Sequence, residues 1–406
     1  MKHIASFGFG IVGGGLPDVI ESCREGIRNL IDDEINVKYI LDLRDFPDSP
    51  YADRVVHDIT PIIEDPEIEV VAETMGGAHP AFEFSIAAME HGISVVTSNK
   101  EVVATYGDKL LETARKNGVN YLFEASVGGG IPCLRPFATS LSQEKIVSVS
   151  GILNGTTNFI LSKMKFEGRE FADVLAEAQA LGYAERDPSA DVDGIDAMRK
   201  IMILTALSTG KLVDKADVYA ETIRNITPAD IDAAARMGAS IKLIGTYKAC
   251  DDGISVYVCP QMVGASNALS AVNDVYNAIS VTCDITGDVM FYGRGAGRYP
   301  TAGAVLADIT AILSGAADAE KQHVFEKAEG SVVPFGKVPF TYYIRVKCDC
   351  CADTHESLTH LFDKVEKLEG SPAGVCEYIC GKMGLDELNS VLESIGNVES
   401  VIRILE

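Results

Sequence analysis

No run of about 18 consecutive apolar residues occurs in the 406-residue chain, so a membrane-spanning helix is not expected. Cations are scarce as well: 35 Lys and Arg face 59 Asp and Glu, a net charge of −24. That balance opposes a broad nucleic-acid surface, whose affinity depends on Lys and Arg displacing counterions, and leaves room only for small cationic sites. Cysteine is thin, with ten residues, too dilute for a disulfide scaffold. Five of them, Cys348, Cys350, Cys351, Cys376 and Cys380, gather near the C-terminus, but without the two C-x2-C pairs of a zinc ribbon. Reduced thiols are the expectation. The opening "MKHIASFGFG" enters a strand-like run without the apolar core and cleavage site of a secretory signal, which leads to the expectation of a cytoplasmic protein.

The chain does have order. Its first part alternates strand-like runs ("HIASFGFG", "NVKYILDL", "EVVAETM", "ISVVTSN", "NYLFEAS") with helical ones ("PDVIESCREGIRNLI", "AFEFSIAAMEHG", "EVVATYGDKLLETARKNG"). Such alternation predicts an α/β fold, a Rossmann-type doubly wound parallel sheet over residues 1–138. A return helix at about 301–315, "TAGAVLADITAILSG", is apolar enough to pack back onto that sheet. Residues 139–300 mix strands ("KIVSVSGIL", "ISVYVCPQMV") with helices ("FADVLAEAQALG", "DAMRKIMILTALSTG", "PADIDAAARMGASIKLIG"), an α+β substrate-binding and dimerisation domain. Its open sheet needs cover, so a homodimer or higher homo-oligomer is expected. Residues 316–339 read as a linker and 340–406 as a small βα-rich C-terminal domain.

"FGFGIVGGG" sets Gly8, Gly10 and Gly13, with Phe9, Ile11 and Val12 between them, in G-x-G-x-x-G spacing directly after the first strand. Without side chains the backbone turns tightly and approaches a pyrophosphate, whose charge the next helix N-terminus stabilises. A dinucleotide site is the base reading. The second strand ends "ILDLRDF", where an acid accepts a ribose 2′-hydroxyl and an arginine accommodates a 2′-phosphate. Asp42 and Asp45 flank Arg44; the arginine tips the reading towards NADP, with NAD as the alternative and a solvated charge cluster as the bland one. Thr74, ending "EVVAET", and Ser98 and Lys100 in "VVTSNK" fall where such folds gather cofactor-facing groups.

Three further stretches carry polar groups in unusual settings. In "FEASVGGGIPCL", Glu124 precedes glycines that can aim backbone carbonyls at a cation, although a tight interdomain turn explains them too. "GILNGTTNFIL" offers Asn154, Thr156, Thr157 and Asn158, fit to bind a carboxylate or ammonium, or simply to cap a helix. "GYAERDPSADVDGIDAMRK" holds Glu185, Asp187, Asp191, Asp193, Asp196 and Lys200 just before the apolar "IMILTALSTG". A helix beginning near Asp193 would put Asp196 and Lys200 one turn apart on one face. An exposed pair of that kind contributes only about 0.2–0.5 kcal/mol. Beside a buried helix, however, an unpaired charge costs several times more, which favours a site over a solvated acidic turn.

In order and spacing, "GFGIVG", "TSNK", "EASVGGGIP", "GILNGTTNFIL", "GYAERDPSADVDGIDAMRK" and "GRGAGRYPTAGAV" closely resemble the homoserine dehydrogenase family over residues 1 to about 315. The resemblance implies NAD(P)-dependent interconversion of L-homoserine and L-aspartate 4-semialdehyde, on the route to threonine and methionine. It implies Lys200 as principal acid/base with Lys100 assisting, Glu185 and Asp196 binding the substrate's polar groups, and Asp191 and Thr156 lining the pocket. It further implies a monovalent cation, Na or K, at Glu124 with the backbone oxygens of Val127, Gly129 and Ile131, and an approach of Gly182 and Gly297 to the cofactor. "TSNK" replaces the "TANK" of many members, a small-for-small change. The C-terminal domain has the element order of the amino-acid-sensing ACT module, but "VKCDCCADTHESL" stands where the effector-binding glycine loop belongs, so it reads as a divergent ACT-like domain suited to assembly at least as well as to threonine feedback.

Two rivals stay open at this stage. One is a thiol-dependent semialdehyde dehydrogenase with Cys133 as nucleophile, which needs a histidine base that the matched motifs do not supply. The other is a catalytically silent nucleotide or amino-acid sensor, for which two site lysines would be superfluous.

Overall fold

The short β-branched runs of the N-terminal region pair into a parallel sheet in a computed structural model that describes residues 1–319, 323–347 and 351–405. Its strands are β1 (Lys2–Phe7), β2 (Ile35–Leu41), β3 (Val55–Val56), β4 (Ile68–Glu73), β5 (Ser94–Thr97) and β6 (Tyr121–Leu122). They run in the order β3-β2-β1-β4-β5-β6, every pair parallel. Parallel strands need crossover helices, which cover both faces; Ile4, Val70, Val71, Val95 and Val96 are accordingly inaccessible to solvent. The order reverses between β1 and β4, the crevice where doubly wound sheets bind ligands.

The chain divides into two compact units. Unit 1 comprises residues 1–146, 202–215 and 283–328, and contains this sheet. Its core joins Ile4, Leu16, Ile27 and Ile40 to Ala304, Val305 and Ile309 of the helix Arg298–Leu313, the return segment read from the sequence. The predicted helix from Pro17 is instead two, Ile11–Ser22 and Arg24–Ile31. It starts earlier because the glycine loop feeds straight into a helix that local propensity, poor at three successive glycines, does not announce.

Unit 2 comprises residues 147–201, 216–282 and 329–406. Its mixed sheet runs Tyr276–Cys283, Ile146–Ile152, Ala239–Cys250, Gly253–Gly264, Val398–Leu405, Pro339–Lys347, Val375–Gly384 and Val365–Lys367. The strands from the C-terminal region thus continue the same sheet, Gln261 to Val263 pairing in parallel with Arg403 to Leu405. "PADIDAAARMGASIKLIG" is not the single helix expected. A capping box of Thr227 and Asp230 starts the helix Pro228–Arg236, Gly238 stops it at φ 66°, and "ASIKLIG" enters the strand Ala239–Cys250. Burial on both faces removes the alternation that would have betrayed that strand.

Cys348 and Cys350 of the C-terminal cluster lie outside the described residues. Cys380 is a buried free thiol, whereas Cys376 is disulfide-bonded, which corrects the expectation of thiols throughout. Among the described residues no helix is long and apolar enough to cross a membrane, and no cluster of His, Cys, Asp and Glu could hold a metal by itself.

Candidate active site

At the end of β1 the backbone swings through Gly8 at φ 91° and enters the helix Ile11–Ser22 directly after Gly10. A Cβ on Gly13 would lie 2.2 Å from the Gly8 carbonyl oxygen and 2.5 Å from the Thr74 hydroxyl, so only glycine fits there. Thr74 closes the turn by donating to the carbonyls of Phe7 and Gly8, at 3.1 Å each. The amides at the start of a helix are thereby presented to a phosphate without side chains in the way.

Beside this loop opens a cavity of about 450 Å³ lined by Gly8, Gly10, Asp42, Leu43, Arg44, His57, Thr74, Met75 and Gly76. Asp42 does not face it unencumbered. It accepts from the Phe9 N–H at 2.9 Å and from the Arg44 backbone, Nε and Nη2 at 3.0 Å each. Burial pushes this carboxyl upward, but the Arg44 bonds outweigh burial and bring it to about 2. The Arg44 guanidinium lies over the Phe46 ring at 5.1 Å. His57 Nδ1 meets the Asp42 carbonyl at 2.7 Å and Nε2 meets Asp45 at 3.1 Å; the carbonyl contact raises its pKa above the ordinary histidine value.

A buried acid that sequence reasoning overlooked ends β4. Glu73 is fully buried and accepts from the Thr97 hydroxyl at 2.5 Å and from the Met75 N–H at 2.7 Å. Thr97 in turn accepts from the Asn99 N–H, and Asn99 donates to the Gly77 carbonyl while capping the helix Lys100–Asn117. Ser98, half-buried, donates its N–H to the Glu73 carbonyl at 3.2 Å. One carboxyl therefore ties the 74–77 loop of the cavity to the strand end that delivers Ser98 and Lys100. The only signal in the sequence was an acid closing the apolar run "IEVVA".

Glu124 sits in a nest of amides: Cys133 and Leu134 donate to Oε1 at 2.6 and 2.8 Å, and Arg135 to Oε2 at 2.6 Å. Burial raises its pKa despite those bonds. Gly128 and Gly129 at φ 74° and 56° turn the loop that carries Val127 and Ile131. Cys133 is fully buried, its thiol 3.5 Å from the Val127 carbonyl, an inert setting for the thiol nucleophile of the rival reading. Gly297, at φ 129°, precedes the helix Arg298–Leu313.

In unit 2 the acidic stretch folds around two short segments. Pro188 precedes the helix Ser189–Val192, and the longer helix starts at Ile195 and runs to Thr209, slightly later than expected. Asp196 and Lys200 meet on its buried face, carboxylate to ammonium at 2.7 Å, and Lys200 also donates to the Leu153 carbonyl at 2.7 Å. Asn154, which the sequence offered as a binding group or a helix cap, donates to Asp191 at 2.7 Å and to Asp196 at 3.0 Å. Thr156, two residues on, donates to the Tyr183 carbonyl at 2.7 Å. The structure thus gathers Lys200, Asp196 and Asp191 around Asn154, while Thr156 is tied to Tyr183. Glu185 keeps an exposed side chain, its backbone carbonyl accepting from Gln179, and Gly182 is exposed at φ 76°. Asp187 binds Ser189, and Asp193 binds Arg224 and Thr222, which makes both structural.

A nucleotide-type loop and a buried lysine among carboxylates narrow the chemistry without naming the substrate. The family description "Homoserine dehydrogenase, NAD binding domain" matches residues 8–124, and "Homoserine dehydrogenase" matches residues 132–310. The homoserine dehydrogenase of Neisseria gonorrhoeae is 37% identical over 85% of this chain and 81% of its own length. The chain belongs to the homoserine dehydrogenase family.

Another homoserine dehydrogenase, from Synechocystis, is 47% identical over 63% of this chain, a match spanning 60% of that longer protein. The crystal structure of a homoserine dehydrogenase from Thiobacillus denitrificans superposes with a TM-score of 0.91 and 32% identity, covering 100% of this chain and 98% of that one. An archaeal homoserine dehydrogenase solved in complex with NADPH matches at 29% identity and a TM-score of 0.66, over 77% of this chain and 98% of that one. The chain is therefore an oxidoreductase with a nicotinamide-cofactor domain; five of the six motifs that suggested the family from sequence fall inside the matched ranges, and "EASVGGGIP" spans the gap between them, residues 125–131 lying in neither.

Proposed function

We propose that this homoserine dehydrogenase interconverts L-homoserine and L-aspartate 4-semialdehyde with NADP, in the cytoplasm, as a homodimer or higher homo-oligomer. The observation that carries the reading is the buried Lys200–Asp196 pair joined to Asp191. The dinucleotide, when bound, supplies or takes up the hydride. Two N–H bonds of the Lys200 ammonium go to Leu153 and Asp196, which aims the remaining one at a substrate oxygen. During reduction that N–H stabilises the developing oxyanion and then donates the proton; during oxidation the lysine, first deprotonated, takes the hydroxyl proton. Lys100 assists, Glu185 and Asp196 hold the substrate's polar groups, and Asp191 and Thr156 line the pocket. Acids outnumber cations there because the substrate carries an ammonium.

Gly8, Phe9, Gly10, Ile11, Val12, Gly13, Thr74, Ser98, Gly182 and Gly297 are assigned to the cofactor. NADP is favoured over NAD because Asp42 already accepts four N–H bonds, while Arg44 and His57 offer positive character at the cavity. Glu124 with the oxygens of Val127, Gly129 and Ile131 fits a monovalent cation better than a divalent one, since three amides already share its single negative charge. The exposed Met290 and Tyr292 on the strand Gly287–Arg294 suit cover by a second copy. The domain limits proposed are 1–138, 139–300 and 340–406, with 316–339 linking the last two.

The test follows NADPH and NADH oxidation with aspartate semialdehyde. Wild type is expected to consume NADPH in preference, and Lys200→Ala to lose about 10³-fold in kcat. Absence of semialdehyde-dependent oxidation removes the reaction; an unimpaired Lys200→Ala removes the lysine's role.

A further inference from the structure

Asn154 ends the loop after the strand Ile146–Ile152 and is the N-cap of the helix Gly155–Glu167. Its Oδ1 accepts the Thr157 N–H at 2.8 Å. Capping alone does not call for an asparagine, because aspartate and serine cap about equally well. The other end of the amide distinguishes it. Nδ2 has two hydrogens and places one on Asp191 at 2.7 Å and one on Asp196 at 3.0 Å. The amide orientation is set by this network, since the reverse would turn Oδ1 against two carboxylates and Nδ2 against an N–H.

The same Oδ2 of Asp196 receives the Lys200 ammonium, whose second bond goes to Leu153, the neighbour of Asn154. Adjacent residues of one loop therefore hold both members of the buried pair. We propose that Asn154 is a positioning residue, its single amide bridging two carboxylates that would otherwise repel and so fixing the direction in which Lys200 addresses the substrate. This rests on the reading of Lys200 as the acid/base. A cap, two donors and no charge are met together by a side chain of this length only in asparagine.

Asn154→Asp keeps the cap and replaces the two donors by a third negative charge; Asn154→Ala removes both functions. The kinetic test compares them in homoserine oxidation across pH. A bridge predicts that Asn154→Asp falls below Asn154→Ala, losing about 100-fold in kcat/KM against about 10-fold. The acid limb of the Asn154→Asp profile should move up by about one pH unit, because added negative charge favours the protonated lysine. Asn154→Asp at or above Asn154→Ala, or an unmoved limb, reduces the residue to a helix cap and overturns the proposal.

A readout independent of turnover separates this from the assigned reaction. With the bridge, Asn154→Asp melts below Asn154→Ala at pH 8, where three carboxylates crowd together, and the deficit narrows as pH falls and the crowded carboxylates begin to take up protons while the cap remains. A deficit that does not change with pH also overturns the bridge. Wild type inactive on homoserine would remove the reaction while the narrowing still tests the geometry.

Discussion

Each unit buries a carboxylate at its working end, and each deals with that charge differently. In unit 2, Asp196 is met by a full ammonium at 2.7 Å and by the Asn154 amide. In unit 1, Glu73 is met by dipoles, a hydroxyl at 2.5 Å and a backbone N–H at 2.7 Å. Burial pushes Glu73 up to about 7 against its hydrogen bonds. Dipoles orient a carboxylate well but offset less of its lost hydration than a counter-ion does. With Lys200 proposed as the acid/base, the ion pair would serve both the chemistry and the charge balance. Where the carboxyl only has to hold the Met75 amide and the Thr97 and Asn99 side chains in register, a proton can complete the neutralisation.

The largest test of this contrast is to break the pair on one side. Lys200→Met leaves Asp196 buried without its cation and is expected to destabilise the fold by about 3–5 kcal/mol. Removing both charges, Asp196→Asn with Lys200→Met, should recover most of that loss, since a neutral amide and an apolar chain need no counter-ion. Urea unfolding of both variants gives the comparison. A double variant as unstable as the single one would show that the pair's charge is not what stabilises this region.

Glu73 should behave in the opposite way when its charge is removed. Its folded pKa lies above the unfolded value of about 4.5, so the folded chain binds the extra proton between pH 4.5 and 7. Stability from this group is present below that window and is lost as pH rises through it, by up to about 3 kcal/mol. Glu73→Gln, whose amide can still accept from Met75 and donate to Thr97, should match wild type at pH 5 and exceed it at pH 8. Parallel wild-type and variant curves between those pH values would refute the assigned environment.

How legible these two sites were differs for physical reasons. Gly8, Gly10 and Gly13 announced a nucleotide loop because only backbone without Cβ fits, and a requirement on residue type is visible in a sequence. Asp196 and Lys200 were legible because helical spacing puts i and i+4 on one face, and the apolar run after them implied burial. Asn154 was half legible: a cap can be read locally, but its partners Asp191 and Asp196 lie some 40 positions away in the chain, with separations of 37 and 42. Glu73 was missed since strand-to-strand register, not local pattern, brings Thr97 beside it. The strand Ala239–Cys250 was missed for a related reason, sheet burial on both faces having erased its period.

A smaller substitution reaches the same contrast from the donor side. Thr97→Val keeps the shape of a β-branched strand residue and deletes the hydroxyl that donates to Glu73. A hydrogen bond to an ionised group contributes about 1.5–3 kcal/mol and one to a neutral group about 0.5–1.5. The variant should therefore lose roughly 2 kcal/mol at pH 8, where Glu73 is charged, and roughly 1 at pH 5, where it is not. Its unfolding midpoint should fall further behind wild type as pH rises. In the Glu73→Gln background the pH dependence of the Thr97→Val effect should vanish, because no carboxyl remains to titrate. A deficit independent of pH in both backgrounds would mean that Thr97 acts only through its own bond from the Asn99 N–H, and that the acid at the end of β4 is held in register by the backbone alone.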